Sequence, residues 1–228
     1  MADLLYVDAD PYPWPFDGDL RPANTALIVI DMQTDFCGVG GYVDKMGYDI
    51  GLTRGPIEPL KTLFAAMRAR NFHIIHTREG HRPDLSDCPP SKLVRGRGKV
   101  RIGDAGPMGR ILVRGEVGHD IVPELYPVDG EPVIDKPGKG AFYATDLDTI
   151  LKNAGIKQLI VCGVTTEVCV NTTVREANDR GYECVVLSDC VGSYYPEFQK
   201  AALAMIKAQG GIFGWVSDSK RALAALAS

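Results

Sequence analysis

The sequence lacks several features that would assign the chain to a common functional class. It has no apolar run near the ~20 residues that a membrane-spanning helix needs. It has no Cys-x-x-Cys pair, which weakens both a structural zinc site and a thioredoxin-like redox site. It has no basic surplus, since the formal net charge is −4, and this argues against nucleic acid as a partner. Its first residues also lack the basic and then apolar pattern of a signal peptide.

What is present indicates one globular domain. The 228 residues are 45% hydrophobic and 24% charged, which suffices for one substantial core. There is no internal repeat and no low-complexity linker, so residues 1–228 are predicted to form a single domain, with 1–22 as an amino-terminal arm. We expect a soluble, cytoplasmic protein whose six cysteines are reduced.

Apolar, β-rich runs alternate with amphipathic segments along the chain. The runs show little polar alternation, which indicates a parallel sheet covered on both faces. The fold class predicted is α/β, a three-layer αβα sandwich with a mainly parallel, six-stranded, doubly wound sheet. Strands are predicted at 25–31, 72–77, 132–136, 157–164, 182–189 and 212–217, and helices at 56–71, 145–155, 167–181, 196–211 and 219–227. Residues 78–131 form a long irregular excursion, which is usually functional or an oligomer contact.

The carboxyl ends of these strands suggest a reactive site, because open parallel sheets bind ligands there. The ends carry Asp31 and Lys136, and the turn after strand 157–164 carries Cys169. In the first turn of a helix and near an ammonium group, Cys169 would be a nucleophilic thiolate. Asp31 would accept its proton, and backbone N–H groups of the turn would form an oxyanion hole. The alternatives are a small buried thiol for Cys169, an N-cap for Asp31 and a solvated strand end for Lys136.

Three motifs in order resemble those of the isochorismatase-like cysteine hydrolases. They are "DMQTDF" after the first strand, "DKPGKGAF" after the 132–136 strand and "GVTTEVCV" before the helix, and the similarity extends over about 20–220. The resemblance implies an Asp31–Lys136–Cys169 catalytic triad. It also implies a cis peptide between Val164 and Thr165, and an oxyanion hole made by the N–H groups of Thr165 and Cys169.

The same resemblance implies which residues bind the substrate. The family lysine directly precedes proline, which selects Lys136 over Lys139. Phe36 is expected to form an apolar wall, with Val164 beside it, and Gln209 is expected to hydrogen-bond the substrate. The motifs are most similar to those of the biuret-hydrolysing branch of the family. The implied activity is hydrolysis of a C–N bond in a small linear ureide, first of all biuret, in nitrogen metabolism.

Several alternatives remain open at this stage. Within the same reaction class they are triuret, ureidoacrylate and N-carbamoyl amino acids, and the segment 192–198 departs from the biuret pattern. Outside it, Cys162 and Cys169 would be the sensor pair of a thiol-based redox or binding protein. The alternating Arg95, Arg97, Lys99 and Arg101 indicate a solvated loop, an oligomer contact or a lid.

No cofactor and no metal are expected. His76 and His81 could mimic a metal pair, but the sequence offers no third partner at a useful spacing. The predicted partner is a small-molecule ureide, with no nucleic acid and no membrane. The family resemblance also implies a homo-oligomer, a tetramer or a dimer.

Overall fold

A six-stranded sheet, parallel throughout, lies at the centre of the computed structural model, which describes residues 4–95 and 100–227. The predicted fold class is confirmed. The strand order is β3-β2-β1-β4-β5-β6, and each neighbouring pair is parallel. The strands are β1 (Thr25–Ile30), β2 (His73–Glu79), β3 (Val133–Lys136), β4 (Gln158–Val164), β5 (Glu183–Gly192) and β6 (Trp215–Ser217).

Helices cover both faces of this sheet because its strands are apolar on both sides. One core lies between the sheet and helices α1 and α5, and the other between the sheet and α2, α3 and α4. The helices are α1 (Ile57–Arg68), α2 (Leu147–Asn153), α3 (Asn171–Asp179), α4 (Pro196–Gly211) and α5 (Ser219–Ala227). Shorter helical segments are Thr34–Cys37, Tyr42–Lys45, Gly51–Arg54, Pro90–Leu93 and a 3₁₀ turn at Pro123–Leu125.

The winding order locates the crevice in which a ligand can bind. From β1 the chain adds β2 and β3 on one side, and then crosses back to add β4, β5 and β6 on the other. The winding direction therefore reverses between β1 and β4, which is the topological switch point of such a sheet. The carboxyl ends of β1 and β4 open there, so the residues that follow Ile30 and Val164 are brought together.

Element boundaries differ from the sequence prediction at two instructive places. Strand β2 continues to Glu79, two residues beyond the predicted end, because Thr77 and Glu79 pair with Ile134 and Lys136 of β3. The predicted 212–217 strand starts only at Trp215, because α4 leaves helical geometry at Ala208 and the chain then turns through glycines.

The amino-terminal arm packs on its own domain. Asp10 and Val216 exchange two backbone hydrogen bonds of 2.9 and 3.0 Å, so the arm covers the edge strand β6. Trp14 is fully buried in the core beneath α1 and α5. The arm thus protects a sheet edge that would otherwise pair with other chains.

The excursion after β2 is largely irregular. It contains a two-residue hairpin, Ala105–Gly106 with Gly109–Arg110, and its residues Leu112, Val113 and Ile121 are buried against the domain. Of the predicted basic run, Arg97 and Lys99 lie outside the described residues. Within the described ranges no helix is long and apolar enough to cross a membrane.

Gly163 allows β4 to lie close to the backbone of β1 at Ile30. Its φ is +107°, and a Cβ at this position would overlap the carbonyl oxygen of Ile30 on the neighbouring strand. We therefore predict that Gly163→Ala lowers the free energy of unfolding by more than the ~1–3 kcal/mol expected for an unfavourable backbone conformation alone. Urea denaturation followed by circular dichroism measures this.

Gly181→Ala is the matched control. Gly181 also has a positive φ, +86°, but nothing lies within 4 Å of the position of its added Cβ. Gly181→Ala should lower the free energy of unfolding only by the amount expected for an unfavourable backbone conformation. Equal losses in the two variants would mean that the close approach of β1 and β4 does not matter.

Candidate active site

A buried ion pair joins the ends of β1 and β3. The Lys136 Nζ lies 2.7 Å from Asp31 Oδ2, and both side chains are fully buried. Thr77 Oγ1 donates to Asp31 Oδ1 at 2.6 Å, while Lys136 Nζ also donates to the carbonyl oxygens of Gly138 and Lys139. Burial acts to lower the pKa of Lys136, but the anions around it, Asp31 first, outweigh burial and raise that pKa.

Cys169 lies across the switch point from this pair. Its thiol donates to Glu79 Oε2 at 3.5 Å, and one ligand atom each of Asp31, Glu79 and Cys169 lie within 4.8 Å of one another. The structure thus brings Asp31, Lys136 and Cys169 together, as the strand-end argument predicted.

The local structure around Cys169 differs from the prediction. The residue lies in a π-helical turn, Thr166–Val170, that precedes α3, and not in the first turn of an α-helix. Burial raises the pKa of the Cys169 thiol well above its usual value, and the nearby Lys136 only opposes that effect. The expected lowering of the thiol pKa is therefore wrong, because burial shifts that pKa in the opposite direction.

The turn before Cys169 has the backbone geometry that the resemblance implied. The peptide between Val164 and Thr165 is cis. Val164, Thr165 and Cys169 all line one cavity of about 120 Å³, which opens at the switch point. The oxyanion-hole role of the Thr165 and Cys169 N–H groups remains a prediction.

The cavity also has an aromatic wall. Phe36, which the sequence predicted as this wall, lines it together with Tyr194. The Tyr194 hydroxyl donates to the Phe36 carbonyl oxygen at 2.7 Å, which ties the segment 192–198 to the segment after β1. The full lining is Phe36, Glu79, Lys139, Val164, Thr165, Val168, Cys169 and Tyr194.

Glu79 is the site residue that sequence reasoning missed. Its side chain is 1% exposed, and its Oε1 accepts from Lys139 Nζ at 2.6 Å and from Lys92 Nζ at 3.1 Å. Burial alone would raise the pKa of Glu79, but Lys136, Lys139 and Lys92 outweigh it and lower that pKa to about 2. The strand-end rule could have found this residue. If the strand predicted at 72–77 had been extended to its actual end at Glu79, that carboxylate would have been counted among the strand ends.

Gln209 is the predicted substrate-binding residue that the structure does not bring to the site. It is exposed, with a left-handed φ of 53°, at the point where α4 departs from helical geometry, and it does not line the cavity. Because Ala208 already has an extended backbone, the chain turns outward here.

The donor atoms of Asp31, Glu79 and Cys169 are close enough to bind a metal ion, but ammonium groups neutralise them. Lys136 pairs with Asp31, and Lys139 and Lys92 pair with Glu79, so a divalent cation would have to enter against three positive charges. The two histidines considered from the sequence are engaged separately, His76 with Glu131 and His81 with Asp87.

Comparison with known proteins agrees with this geometry. Residues 25–221 match the isochorismatase domain. Two curated relatives, both called ureidoacrylate amidohydrolase RutB, come from Pantoea ananatis and Serratia proteamaculans. They are 36% and 35% identical to this chain, and each match covers 86% of this chain and 80% of the relative.

Solved structures show the same architecture. A cysteine hydrolase from Pseudomonas syringae superposes with a TM-score of 0.77 at 27% identity, over 100% of this chain and 99% of the other. An N-carbamoylsarcosine amidase from Thermoplasma acidophilum shares the fold, with a TM-score of 0.66 at 22% identity, over 86% of this chain and 96% of the other. With the domain match spanning most of its length, the chain belongs to the isochorismatase family of hydrolases.

Proposed function

We propose that the protein is a cysteine amidohydrolase that cleaves a C–N bond of a small, uncharged linear ureide, with biuret as the leading candidate substrate. One observation carries the proposal: a buried thiol that lines a cavity of only about 120 Å³ lies close to two carboxylates and their lysines. Relatives named as amidohydrolases support the reaction class.

In the first half-reaction, Asp31 acts as the general base. A base is needed because the raised pKa of Cys169 favours its neutral thiol. The thiol proton moves to Asp31 as Sγ attacks the terminal carbonyl carbon. The resulting oxyanion is held by the N–H groups of Thr165 and Cys169. The C–N bond then breaks, the nitrogen takes the proton from Asp31, and ammonia leaves a thioester.

In the second half-reaction, water replaces the ammonia. Asp31 removes a proton from the water, whose oxygen adds to the thioester carbon, and the C–S bond breaks with return of a proton to sulfur. With biuret the products are allophanate and ammonia. Lys136 orients the Asp31 carboxylate in both steps, since its Nζ lies 2.7 Å from Asp31 Oδ2.

The Glu79 carboxylate in the cavity lining favours an uncharged substrate. Three ammonium groups, of Lys136, Lys139 and Lys92, face two carboxylates, of Asp31 and Glu79, so one positive charge is in excess. Because the proton of Cys169 moves to Asp31, this net charge stays the same when the thiolate or the oxyanion forms. A substrate carboxylate would approach the ionised Glu79, which lines the cavity together with Cys169, and would be repelled by it.

Ureidoacrylate is the second candidate, because two relatives at 36% and 35% identity carry that name. It shares the terminal urea group with biuret but adds a carboxylate. Triuret and N-carbamoyl amino acids are further rivals of the same class.

The redox alternative has little geometric support. Cys162 lies in the core beneath α1 and α5, whereas Cys169 belongs to the core on the other face of the sheet. Cys162 instead contacts the thiol of Cys190. A disulfide between Cys162 and Cys169 would require the sheet to open.

We predict that Cys169→Ser lowers ammonia release from biuret by on the order of 10³-fold or more, because a hydroxyl is a far weaker nucleophile here. Circular dichroism should show an unchanged fold. Cys88→Ser is the matched control: Cys88 is also buried but does not line the cavity, and full activity is expected. A fully active Cys169→Ser variant would sink the mechanism.

A substrate panel tests the assignment within the class. We expect kcat/KM to be highest for biuret, lower for triuret, and lowest for ureidoacrylate and N-carbamoylglycine, which carry a carboxylate. The assay is ammonia release under one buffer and salt condition. If ureidoacrylate exceeds biuret, the uncharged-substrate argument is wrong and the second candidate takes its place.

The buried thiol predicts a particular pH dependence. Since burial favours the neutral form, the pKa of Cys169 lies above the ~8.5 of a free cysteine. Inactivation of the free enzyme by iodoacetamide should therefore still accelerate above that pH. A plateau that is reached below pH 8 would mean that the resting residue is a thiolate.

A further inference from the structure

Glu79 has an arrangement that the triad chemistry leaves unexplained. Its two carboxylate oxygens have different partners: Oε1 accepts from Lys139 and Lys92, whereas Oε2 faces the Cys169 sulfur at 3.5 Å. One oxygen is an anchor, and the other points at the reacting atom.

The position of this carboxylate is fixed from several directions. The Glu79 backbone N–H donates to Gln33 Oε1 at 2.7 Å, and its carbonyl oxygen accepts from Gln33 Nε2 at 3.0 Å. Lys92, which lies on the excursion after β2, reaches back to Glu79 and also donates to the Pro137 carbonyl oxygen at 2.7 Å. The carboxylate is therefore held in place before any substrate arrives.

The catalytic cycle changes what Oε2 faces. In the free protein it accepts the thiol hydrogen of Cys169. Once that proton has moved to Asp31, Oε2 has lost its donor and lies beside a thiolate, which is an unfavourable pairing of two anions. A hydrogen-bond donor supplied from the cavity would relieve both problems.

A ureide supplies such a donor in the right place. When Sγ attacks a ureide carbonyl, the neighbouring nitrogen is two bonds from the sulfur, and when it attacks the CH₂ carbon of a haloacetamide, the amide nitrogen is three bonds away. Both positions are within hydrogen-bonding reach of an oxygen 3.5 Å from that sulfur. Both nitrogens that flank a terminal ureide carbonyl carry N–H groups.

We propose that Glu79 is a specificity-determining residue whose Oε2 accepts an N–H hydrogen bond from the nitrogen beside the reacting carbonyl. This selects uncharged acyl compounds that carry N–H groups, and it rests on the proposed amidohydrolase function for its natural substrate. A site built to pair a polar group discriminates strongly against analogues that lack the group.

The first test does not depend on turnover. Cys169 is alkylated with iodoacetamide, with N,N-dimethyl-iodoacetamide, which has no N–H, and with iodoacetate, which is an anion. Each rate is divided by the rate with free cysteine, and modification at Cys169 is verified by mass spectrometry. In the wild type, iodoacetamide should exceed both other reagents by about tenfold to a hundredfold, the range for one hydrogen bond to a charged group.

Two ratios are compared: the corrected rate of iodoacetamide divided by that of its dimethyl analogue, and the same rate divided by that of iodoacetate. Glu79→Gln should reduce both ratios by about tenfold or more, because the amide has no charge and only one oxygen. The matched control is Glu124→Gln, which removes an ion pair of the same 2.6 Å length with Arg54, away from the cavity. It should leave both ratios unchanged. Equal ratios in the wild type and Glu79→Gln would overturn the proposal.

Two further readouts separate this role from a structural one. Glu79→Gln should lower kcat/KM for biuret by about tenfold to a hundredfold, while Glu79→Asp, which keeps the charge, should recover part of it. If Glu79→Gln does not fold, the wild-type comparison decides: equal corrected rates for iodoacetamide and its dimethyl analogue refute the proposal. If the wild type hydrolyses no ureide but the alkylation ratios behave as expected, the proposed function fails and the role of Glu79 stands.

Discussion

The buried pair of Asp31 and Lys136 is the constraint on which the rest of the site depends. Two opposite charges with no exposed surface are stable only if each is paired and hydrogen-bonded, since removal of one partner leaves a buried charge uncompensated. Thr77 and the carbonyl oxygens of Gly138 and Lys139 satisfy the remaining hydrogen bonds. The pair thereby fixes the ends of β1 and β3 relative to β2, and it holds the Asp31 carboxylate near a thiol whose pKa is raised by burial.

A second layer of charge surrounds this pair. Glu79 forms ion pairs with Lys139 and Lys92. With Lys136 and Asp31 the cluster then has three ammonium groups and two carboxylates, a net charge of one positive unit. That net charge does not change when the thiolate and then the oxyanion form, because the thiol proton stays in the cluster on Asp31. The same arrangement explains why a cluster with metal-ligand chemistry is already saturated with ammonium groups.

The sequence predicted most of the fold and the triad because both depend on local patterns. The parallel sheet follows from apolar runs without polar alternation, and the strand ends then single out Asp31, Lys136 and the turn that carries Cys169. Glu79 was missed because the end of β2 is set by its pairing with β3, and the sequence of β2 does not mark that end. Gln209 was expected at the substrate, yet the backbone turn after Ala208 leaves it exposed.

The amino-acid sequence by itself determined the architecture, the order of the motifs and the residue types available for chemistry, because period and composition are properties of the chain. Only the tertiary structure decided the direction in which the pKa of Cys169 shifts and the partners of Glu79. A thiol pKa depends on burial and on charges from β1, β2 and β3, which are far apart in sequence. Those charges meet because the winding of the sheet reverses between β1 and β4 and gathers four strand ends around one small cavity.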